Sequence, residues 1–194
     1  MNNLIFATNN QHKVDEINSV LGNYFQVKSL AQAGIFIDIP EPHDTLEKNA
    51  FEKSNTIYQL TRQNCFSEDT GLFVDALQGE PGVKSARYAG EPSSNIANIE
   101  KLLLNLKSQS NRKARFRTIL SLITDGHEYV FEGICEGKII EAQTGKNGFG
   151  YDAIFVPEGS NKSFAEMDLK EKSLFSHRKK AVAKLIDFLK NQKK

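Results

Sequence analysis

Residues 114–140, "ARFRTILSLITDGHEYVFEGICEGKII", contain the pattern that decides the fold. Runs rich in β-branched residues lie on both sides of the central "TDGH", and Asp-Gly is a dipeptide that tight hairpin turns favour. The stretch therefore predicts a long antiparallel hairpin.

The first part of the chain has a different pattern, in which strand and helix signals alternate. "NLIFA" is a compact apolar run, and after the polar "TNNQ" apolar residues recur at helical spacing from Val14 to Gly22. "FQVKSL" and "IFIDI" are predicted strands. Asp44 and Glu47 form a predicted capping box that opens a helix through Leu60.

The remaining segments continue this mixture. "LFVDAL" reads as a strand, "QGEPGVKSARYAGEP" as a long functional loop, and Ile96 to Leu106 as a helix. "GKNGFGYDAIFVPEG" is a glycine-rich entry into a short strand, and the chain ends in an amphipathic helix. We therefore expect an α/β fold, a mixed β-sheet flanked by helices, as one domain over residues 1–194 that the hairpin opens into two lobes.

Composition limits the partners. Lys and Arg number 25 against 24 Asp and Glu, so a formal net charge of +1 provides no overall field for a nucleic acid or an anionic membrane. Cys65 and Cys135 lie in stretches that read as buried strands, which predicts buried free thiols. The first residues show no basic region and only a short apolar run, so the expected location is the cytoplasm.

"TNNQHK", Thr8 to Lys13, lies between the first predicted strand and helix. Backbone amides at a helix N-terminus carry the positive end of the helix dipole, so this junction can hold a phosphate group. The glycines of a P-loop or a dinucleotide fingerprint are missing from it. Plain helix capping by Thr and Asn is the competing interpretation.

Three acids, Glu41, Glu68 and Asp69, are predicted to meet if the "IPE" and "SEDTG" turns lie at one edge of the sheet. Magnesium is usually held by one or two carboxylates together with substrate phosphates. The competing interpretation is that acids beside turns are solvated or cap helices. Asp75 reads as a surface or partner residue.

Four basic residues are further candidates. Lys53 on its predicted helix has the spacing of an ordinary surface lysine. In a continuous helix Lys172 and His177 would point about 140° apart. A helix break, with Ser176 as a new N-cap, would instead bring His177 and Arg178 to a first helical turn facing an anion or a carbonyl.

"GFGYD", residues 148–152, places an aromatic ring between two glycines. An exposed Phe149 ring can stack on a base, and Asp152 can accept hydrogen bonds from a base or sugar. A core phenylalanine at a bulge is the competing interpretation.

In this order, "IFATNNQHK", "IPE", "EKNAFEK", "SEDTGLFVDALQGEPGVKSARYAG", "GFGYDAIF" and "FAEMDLKEKSLFSHRKKA" resemble the inosine triphosphate pyrophosphatase family over nearly the whole chain. The resemblance implies hydrolysis of ITP, dITP and XTP to monophosphate and pyrophosphate. It also implies a homodimer, with an elongated central sheet and a substrate cleft between two lobes.

The resemblance assigns roles by position. Glu41 and Asp69 would bind Mg²⁺, and Asp69 would accept the proton of the attacking water. Phe149 would stack on the purine. Substrate contacts are implied for Thr8, Asn9, Asn10, Gln11, His12, Lys13, Lys53, Thr70, Phe149, Gly150, Tyr151, Asp152, Lys172, His177 and Arg178.

Two positions depart from the common family pattern: Ala153 stands where many members have proline, and Thr70 where many bacterial members have serine. The latter change keeps the hydroxyl group. Two alternatives stay open, a pyrophosphatase for pyrimidine or other modified triphosphates and a nucleotide-binding module without catalysis. The charge balance disfavours a nucleic-acid binder.

Overall fold

The computed structural model describes residues 3–21 and 25–192, which form an α/β fold. Its helices are α1 (Gln11–Leu21), α2 (Leu46–Thr61), α3 (Asn95–Asn105), α4 (Leu169–Phe175) and α5 (His177–Asn191). Its strands are β1 (Asn3–Phe6), β2 (Gln26–Ser29), β3 (Cys65–Val74), β4 (Pro81–Gly82), β5 (Lys113–Thr124), β6 (His127–Ile139) and β7 (Phe155–Pro157). Gly22, where the first helix was expected to stop, lies outside the described residues.

The predicted hairpin is present as β5 and β6. Asp125 and Gly126 form its two-residue turn, with φ angles of 51° and 81°. Positive φ at both turn residues matches the twist of the two strands, which explains why Asp-Gly occurs here.

The sheet is mixed, as the alternation of strand and helix signals predicted. β1 pairs in parallel with β2 and with β3, whereas β7 runs antiparallel to β6. The strand order is β2-β1-β3-β5-β6-β7, and β4 pairs with β3. The parallel pairs are joined through helices, because parallel neighbours need a long crossover connection.

Contacts divide the chain into two compact units. The first comprises the described parts of residues 1–69, 118–133 and 178–194, and the second comprises residues 70–117 and 134–177. Strands β3, β5 and β6 each contribute residues to both units.

The first unit buries both faces of its strands. Leu4 and Phe6 pack with α1 and α5, whereas Ile5 and Ala7 join a second cluster with Ile57 of α2. Because side chains alternate along a strand, a strand covered on both faces reads as a continuous apolar run. This is why "NLIFA" shows no polar alternation.

The second unit has a core of its own that is rich in aromatic residues. Phe116 lies edge-on to Phe155, with ring centroids 4.7 Å apart, and also packs against Phe164. Tyr151 is buried in the same cluster. Edge-to-face aromatic packing adds to the energy of area burial.

Two local predictions are wrong. "IFIDI" is not a strand: Ile35 is buried and Phe36 is 83% exposed, so the residues alternate in burial, but the carbonyl of Ile37 accepts a hydrogen bond from the Asn9 side chain instead of from a strand. The capping box at Asp44 is also wrong. Thr45 caps α2, and its hydroxyl accepts from the Lys48 amide at 3.3 Å.

Other predictions are confirmed. Cys65 and Cys135 are buried free thiols, and burial raises the pKa of Cys65 to about 12. The loop at 78–92 is more ordered than expected, since it contains β4 and a short 3₁₀ turn. Within residues 3–21 and 25–192, every helix is too short or too polar to cross a membrane.

Candidate active site

Glu68 and Asp69 lie inside β3 and not at a turn, so the predicted "SEDTG" turn is wrong. The strand continues unbroken through Val74, and Leu72 and Phe73 pair with β4. Consecutive residues of a strand point to opposite faces of the sheet. The two neighbouring carboxylates therefore face different layers of the first unit.

Gly71 lies within β3, where it allows the close approach of β4. A Cβ atom at this position would lie 2.5 Å from the carbonyl oxygen of Gly82. Only glycine allows the two backbones to approach so closely. Thr70, beside it, is half-buried within the strand.

Asp69 faces α2, where Lys53 connects the two predicted metal-binding acids. The Lys53 ammonium is 3.6 Å from Asp69 Oδ1, forms a short ion pair with Glu41, and donates to the Glu68 carbonyl oxygen at 2.7 Å. Lys53 is only 7% exposed, so the interpretation as a surface lysine is wrong. Glu41 and Asp69 thus lie beside the same lysine, and their binding of Mg²⁺ stays a prediction.

The surroundings of Asp69 disfavour the ionised form of its carboxyl group. Burial raises the pKa of its carboxyl group, and the nearby Glu41 carboxylate raises it further, while Lys53, Lys13 and the amide group of Asn49 oppose these effects. A cation between Glu41 and Asp69 would relieve both causes of the increase.

The carboxylates of Glu41 and Asp69 fit magnesium as part of its set of oxygen ligands. In the described part of the chain, no group of three or more His, Cys, Asp or Glu side chains is arranged to hold a metal. Two carboxylates suffice for magnesium, because this ion keeps several waters and takes further oxygens from substrate phosphates.

Glu68 faces α1 and α5, where it is held by Arg178. The guanidinium donates to Glu68 Oε2 at 2.6 Å and to Oε1 at 2.7 Å, and its third nitrogen forms a short bond with Glu16. Lys13 Nζ lies 3.4 Å from Glu68 Oε1. Arg178 is buried with its guanidinium nitrogens directed at these acids. Its side chain therefore holds Glu68, which differs from the expected role of facing a nucleoside.

The "TNNQHK" junction forms the predicted strand, loop and helix. Asn10 Oδ1 accepts from the Lys13 amide at 3.3 Å, and Thr8 Oγ1 accepts from the Asn10 amide at 3.1 Å. Helix capping is thus present here. Asn9 to His12 are exposed, and Gln11 bonds Asp15 one helical turn on.

In the second unit, Lys172 connects Asp152 with two aromatic rings. Its ammonium donates to Asp152 Oδ2 at 2.7 Å and lies 5.3 Å from the ring centroids of Phe149 and Phe164. Asp152 Oδ2 also accepts from the Phe149 amide at 2.9 Å, which closes the "GFGYD" loop on itself. Phe149 is half-buried and outside the core cluster, and stacking of its ring on a purine stays a prediction.

The chain breaks between α4 and α5 at Ser176, as predicted. The break brings Lys172 and His177 beside a common neighbour, Phe164. The His177 ring is buried and stacks on Phe116 at 4.7 Å. Tyr151 differs from the expectation: it is a core residue whose hydroxyl donates to the Ser85 carbonyl at 2.9 Å, and Gly150, with φ of 58°, turns the chain ahead of it.

Sequence reasoning missed Asn49 and Glu16. The signal for Asn49 was present, because Leu46, Asn49, Ala50, Lys53 and Ile57 share the helical spacing of one face and all are buried. A polar residue on an apolar stripe indicates a buried polar contact. Glu16 had no comparable signal, since its partner Arg178 lies 162 positions away.

Together, a mixed α/β sheet, two acids joined by one buried lysine, and an aromatic site with its own lysine define an α/β enzyme. The profile of the Ham1 family matches residues 4–188. The chain belongs to this family.

Individual relatives agree with the family assignment. The chain is 49% identical over 186 residues to a dITP/XTP pyrophosphatase of Flavobacterium johnsoniae, which covers 96% of this chain and 97% of that protein. It is similar to the structure of the Ham1 protein of Staphylococcus aureus, with a TM-score of 0.88 at 36% identity over 98% of this chain and 99% of that one. The Ham1 protein of Coxiella burnetii gives a TM-score of 0.89 at 31% identity, covering 98% and 100%. These findings confirm the predicted family and fold class.

Proposed function

We propose that this protein hydrolyses deaminated purine nucleoside triphosphates, ITP, dITP and XTP, to the monophosphate and pyrophosphate. The observation that carries the proposal is the contact of Lys53 with both Glu41 and Asp69, because a cation-binding acid pair beside a lysine is what phosphate chemistry requires. The name dITP/XTP pyrophosphatase of relatives at 40–49% identity supports the choice of substrate.

The first unit would handle the phosphates. Glu41 and Asp69 would hold Mg²⁺, which when bound supplies positive charge that neutralises phosphate oxygens. Asp69 would accept the proton of the water that attacks the anhydride between the α- and β-phosphates. Lys53 and Lys13 would neutralise the pyrophosphate that leaves. The side chains from Thr8 to His12 would orient the triphosphate at the start of α1.

The second unit would bind the base. Phe149 would stack on the purine, and Lys172 and His177 would donate hydrogen bonds to the 6-oxo group. A 6-amino purine would leave these donors unsatisfied, and mismatches of this kind discriminate by about 10⁴-fold or more. Because the Arg178 side chain donates to Glu68 and Glu16, we propose that only its backbone amide contacts substrate. Asp152 would keep Lys172 in place, and Gly150, Tyr151 and Thr70 would shape the site.

We also propose that the protein acts in the cytoplasm as a homodimer and that residues 1–194 fold as one domain. The match of a single family profile to residues 4–188 supports the single domain. Sedimentation of the purified chain over a concentration series tests the dimer.

Pyrophosphate release from ITP, dITP, XTP, ATP and GTP, with and without Mg²⁺, tests the activity. We expect rapid release from the first three and only in the presence of the metal. A pyrimidine or other modified triphosphate as the best substrate would support the alternative pyrophosphatase. Orthophosphate in place of pyrophosphate would contradict the cleavage site.

A further inference from the structure

The loop that carries Phe149 is held by contacts with other parts of the second unit. Residues 140–151, all within the described chain, form neither a helix nor a strand, so contacts outside regular secondary structure fix their path. The bond between the Phe149 amide and Asp152 closes the last part of this loop. Ordering a free loop costs conformational entropy, which tertiary contacts must offset.

The middle of the loop lies against a short turn further along the chain. The amides of Lys146 and Asn147 both donate to the Ala165 carbonyl oxygen at 3.0 Å. The Asn147 side chain donates to the Met167 carbonyl oxygen, also at 3.0 Å. A Cβ atom at Gly145 would lie 2.2 Å from the carbonyl carbon of Ala165, so the two backbones are in direct contact.

Thr144 joins the loop to this turn through its side chain. Its Oγ1 lies 2.8 Å from Ser163 Oγ and donates to Glu166 Oε2 at 3.0 Å. Glu166 Oε2 also accepts from the Ser163 amide at 2.8 Å, and these two residues form the capping box of the turn. The hydroxyl of Thr144 is thus bonded to the residue that caps the turn and to the residue that ends it.

The same turn carries Phe164, whose ring belongs to the aromatic part of the candidate site. Lys172 Nζ is 5.3 Å from the ring centroids of both Phe149 and Phe164. Phe164 is fully buried and packs against Phe116, and close packing restricts a core side chain to one position. The bonds of Thr144 therefore connect the loop to a fixed part of the core.

We propose that Thr144 is a positioning residue that holds the Phe149 loop in the arrangement that receives the purine base. It acts through its bonds to Ser163 and Glu166. The inference rests on the proposed function, since it assumes that the base stacks on Phe149. A loop that is ordered before binding avoids the entropy cost of ordering during binding, so loss of these bonds should weaken the binding of the base.

The test compares the binding of two probes by isothermal titration calorimetry, with Mg²⁺ present in both titrations. IMP carries the base, whereas inorganic pyrophosphate carries only groups that the first unit is proposed to bind. Thr144→Val keeps the shape of threonine without its hydroxyl, and we expect it to raise the dissociation constant of IMP about fivefold or more. The dissociation constant of pyrophosphate should stay within about twofold of that of the unmodified protein.

Two control variants separate positioning from stability. Thr144→Ser keeps the hydroxyl and should restore the IMP affinity. Ser94→Ala removes a hydroxyl that caps α3 and accepts from the Ala97 amide at 3.3 Å, so it should lower stability without changing the IMP affinity. In steady-state assays, Thr144→Val should raise the KM for ITP with little change in kcat, as expected when uniform binding is lost.

An unchanged IMP affinity in Thr144→Val would overturn the proposal, as would an equal loss of affinity for IMP and pyrophosphate. A loss in Thr144→Ser as large as that in Thr144→Val would also overturn it, because serine keeps the hydroxyl. Thr144→Ala replaces Thr144→Val if the latter does not fold, with the same expected result. Failure of the proposed function is separate: it would show as no pyrophosphate release from ITP, dITP or XTP by the unmodified protein, and the IMP comparison would still decide the role of Thr144.

Discussion

Glu68 and Asp69 are consecutive acids of one strand, and both are buried, but their surroundings differ in kind. Glu68 accepts hydrogen bonds from two nitrogens of the Arg178 guanidinium, which also binds Glu16. Asp69 lies 3.6 Å from the ammonium of Lys53, which it shares with Glu41, and the pKa of its carboxyl group is raised, first by burial. A planar arginine fork fixes the orientation of a carboxylate through two parallel bonds, whereas an ammonium is a compact charge whose donors rotate. We therefore propose that Glu68 maintains the fold and that Asp69 performs the chemistry.

Asp69→Asn should have the largest effect, on turnover. We expect kcat to fall by about 10²- to 10⁴-fold because the proton acceptor is lost, with nucleotide binding retained. Pyrophosphate release and nucleotide titration measure the two quantities. Glu68→Gln is the matched control and should lose stability more than turnover per folded molecule. Full turnover in Asp69→Asn would mean that Asp69 is not the proton acceptor, whereas the absence of turnover in the unmodified protein would favour a binding module.

Asp69→Asn should raise stability although it lowers turnover. An acid with a raised pKa in the folded state stabilises the fold while protonated and loses this contribution as pH rises through its folded pKa. Asn imitates the protonated form. Metal-free Asp69→Asn should therefore melt at a higher temperature than the unmodified protein at pH 7, and the difference should shrink as pH approaches the ordinary aspartate pKa of about 3.9.

The next largest effect is expected for Arg178→Met, which acts on the face of β3 opposite Asp69. Removing the guanidinium leaves Glu68 and Glu16 buried without their cation, which costs about 3–5 kcal/mol in the free energy of unfolding. Urea denaturation measures the loss. The control is Arg115→Met, at a half-exposed ion pair. A loss of less than about 1 kcal/mol for Arg178→Met would mean that Glu68 is not the structural acid of the pair.

Gly71→Ala tests whether β3 must approach β4 closely beyond Asp69. The added methyl group would lie 2.5 Å from the Gly82 carbonyl oxygen, so the strands must separate. We expect a loss of about 1–3 kcal/mol in the free energy of unfolding, as for other overpacked sites. Thermal and urea unfolding measure it. An unchanged stability would mean that β4 moves away without cost, and the close approach would then not explain the glycine.

The turn at Asp125 and Gly126 and the apolar stripe of α5 were readable from sequence because local geometry dictates them. The path of β3 could not be predicted from the sequence, because "DTG" has the composition of a turn. Its glycine instead allows the tertiary contact with β4. In a continuous β3, strand alternation alone places the side chains of Glu68 and Asp69 on opposite faces of the sheet. The partners on each face could not be predicted from this alternation, since Lys53 lies 15 positions before Glu68 and Arg178 lies 110 positions after it.

Asp75, the last acid of "SEDTGLFVD", should show the smallest effect. Its carboxylate accepts from Arg115 at 3.0 Å, but the side chains of the pair are 40% and 39% exposed, so water screens the attraction. Asp75→Asn should change the free energy of unfolding by less than about 1 kcal/mol, and salt should reduce the difference further. Urea denaturation at low and high salt measures it, with turnover unchanged. A larger loss would contradict this explanation. The ion-pair partner and the burial of each carboxylate would then not account for the different effects of three acids within nine residues.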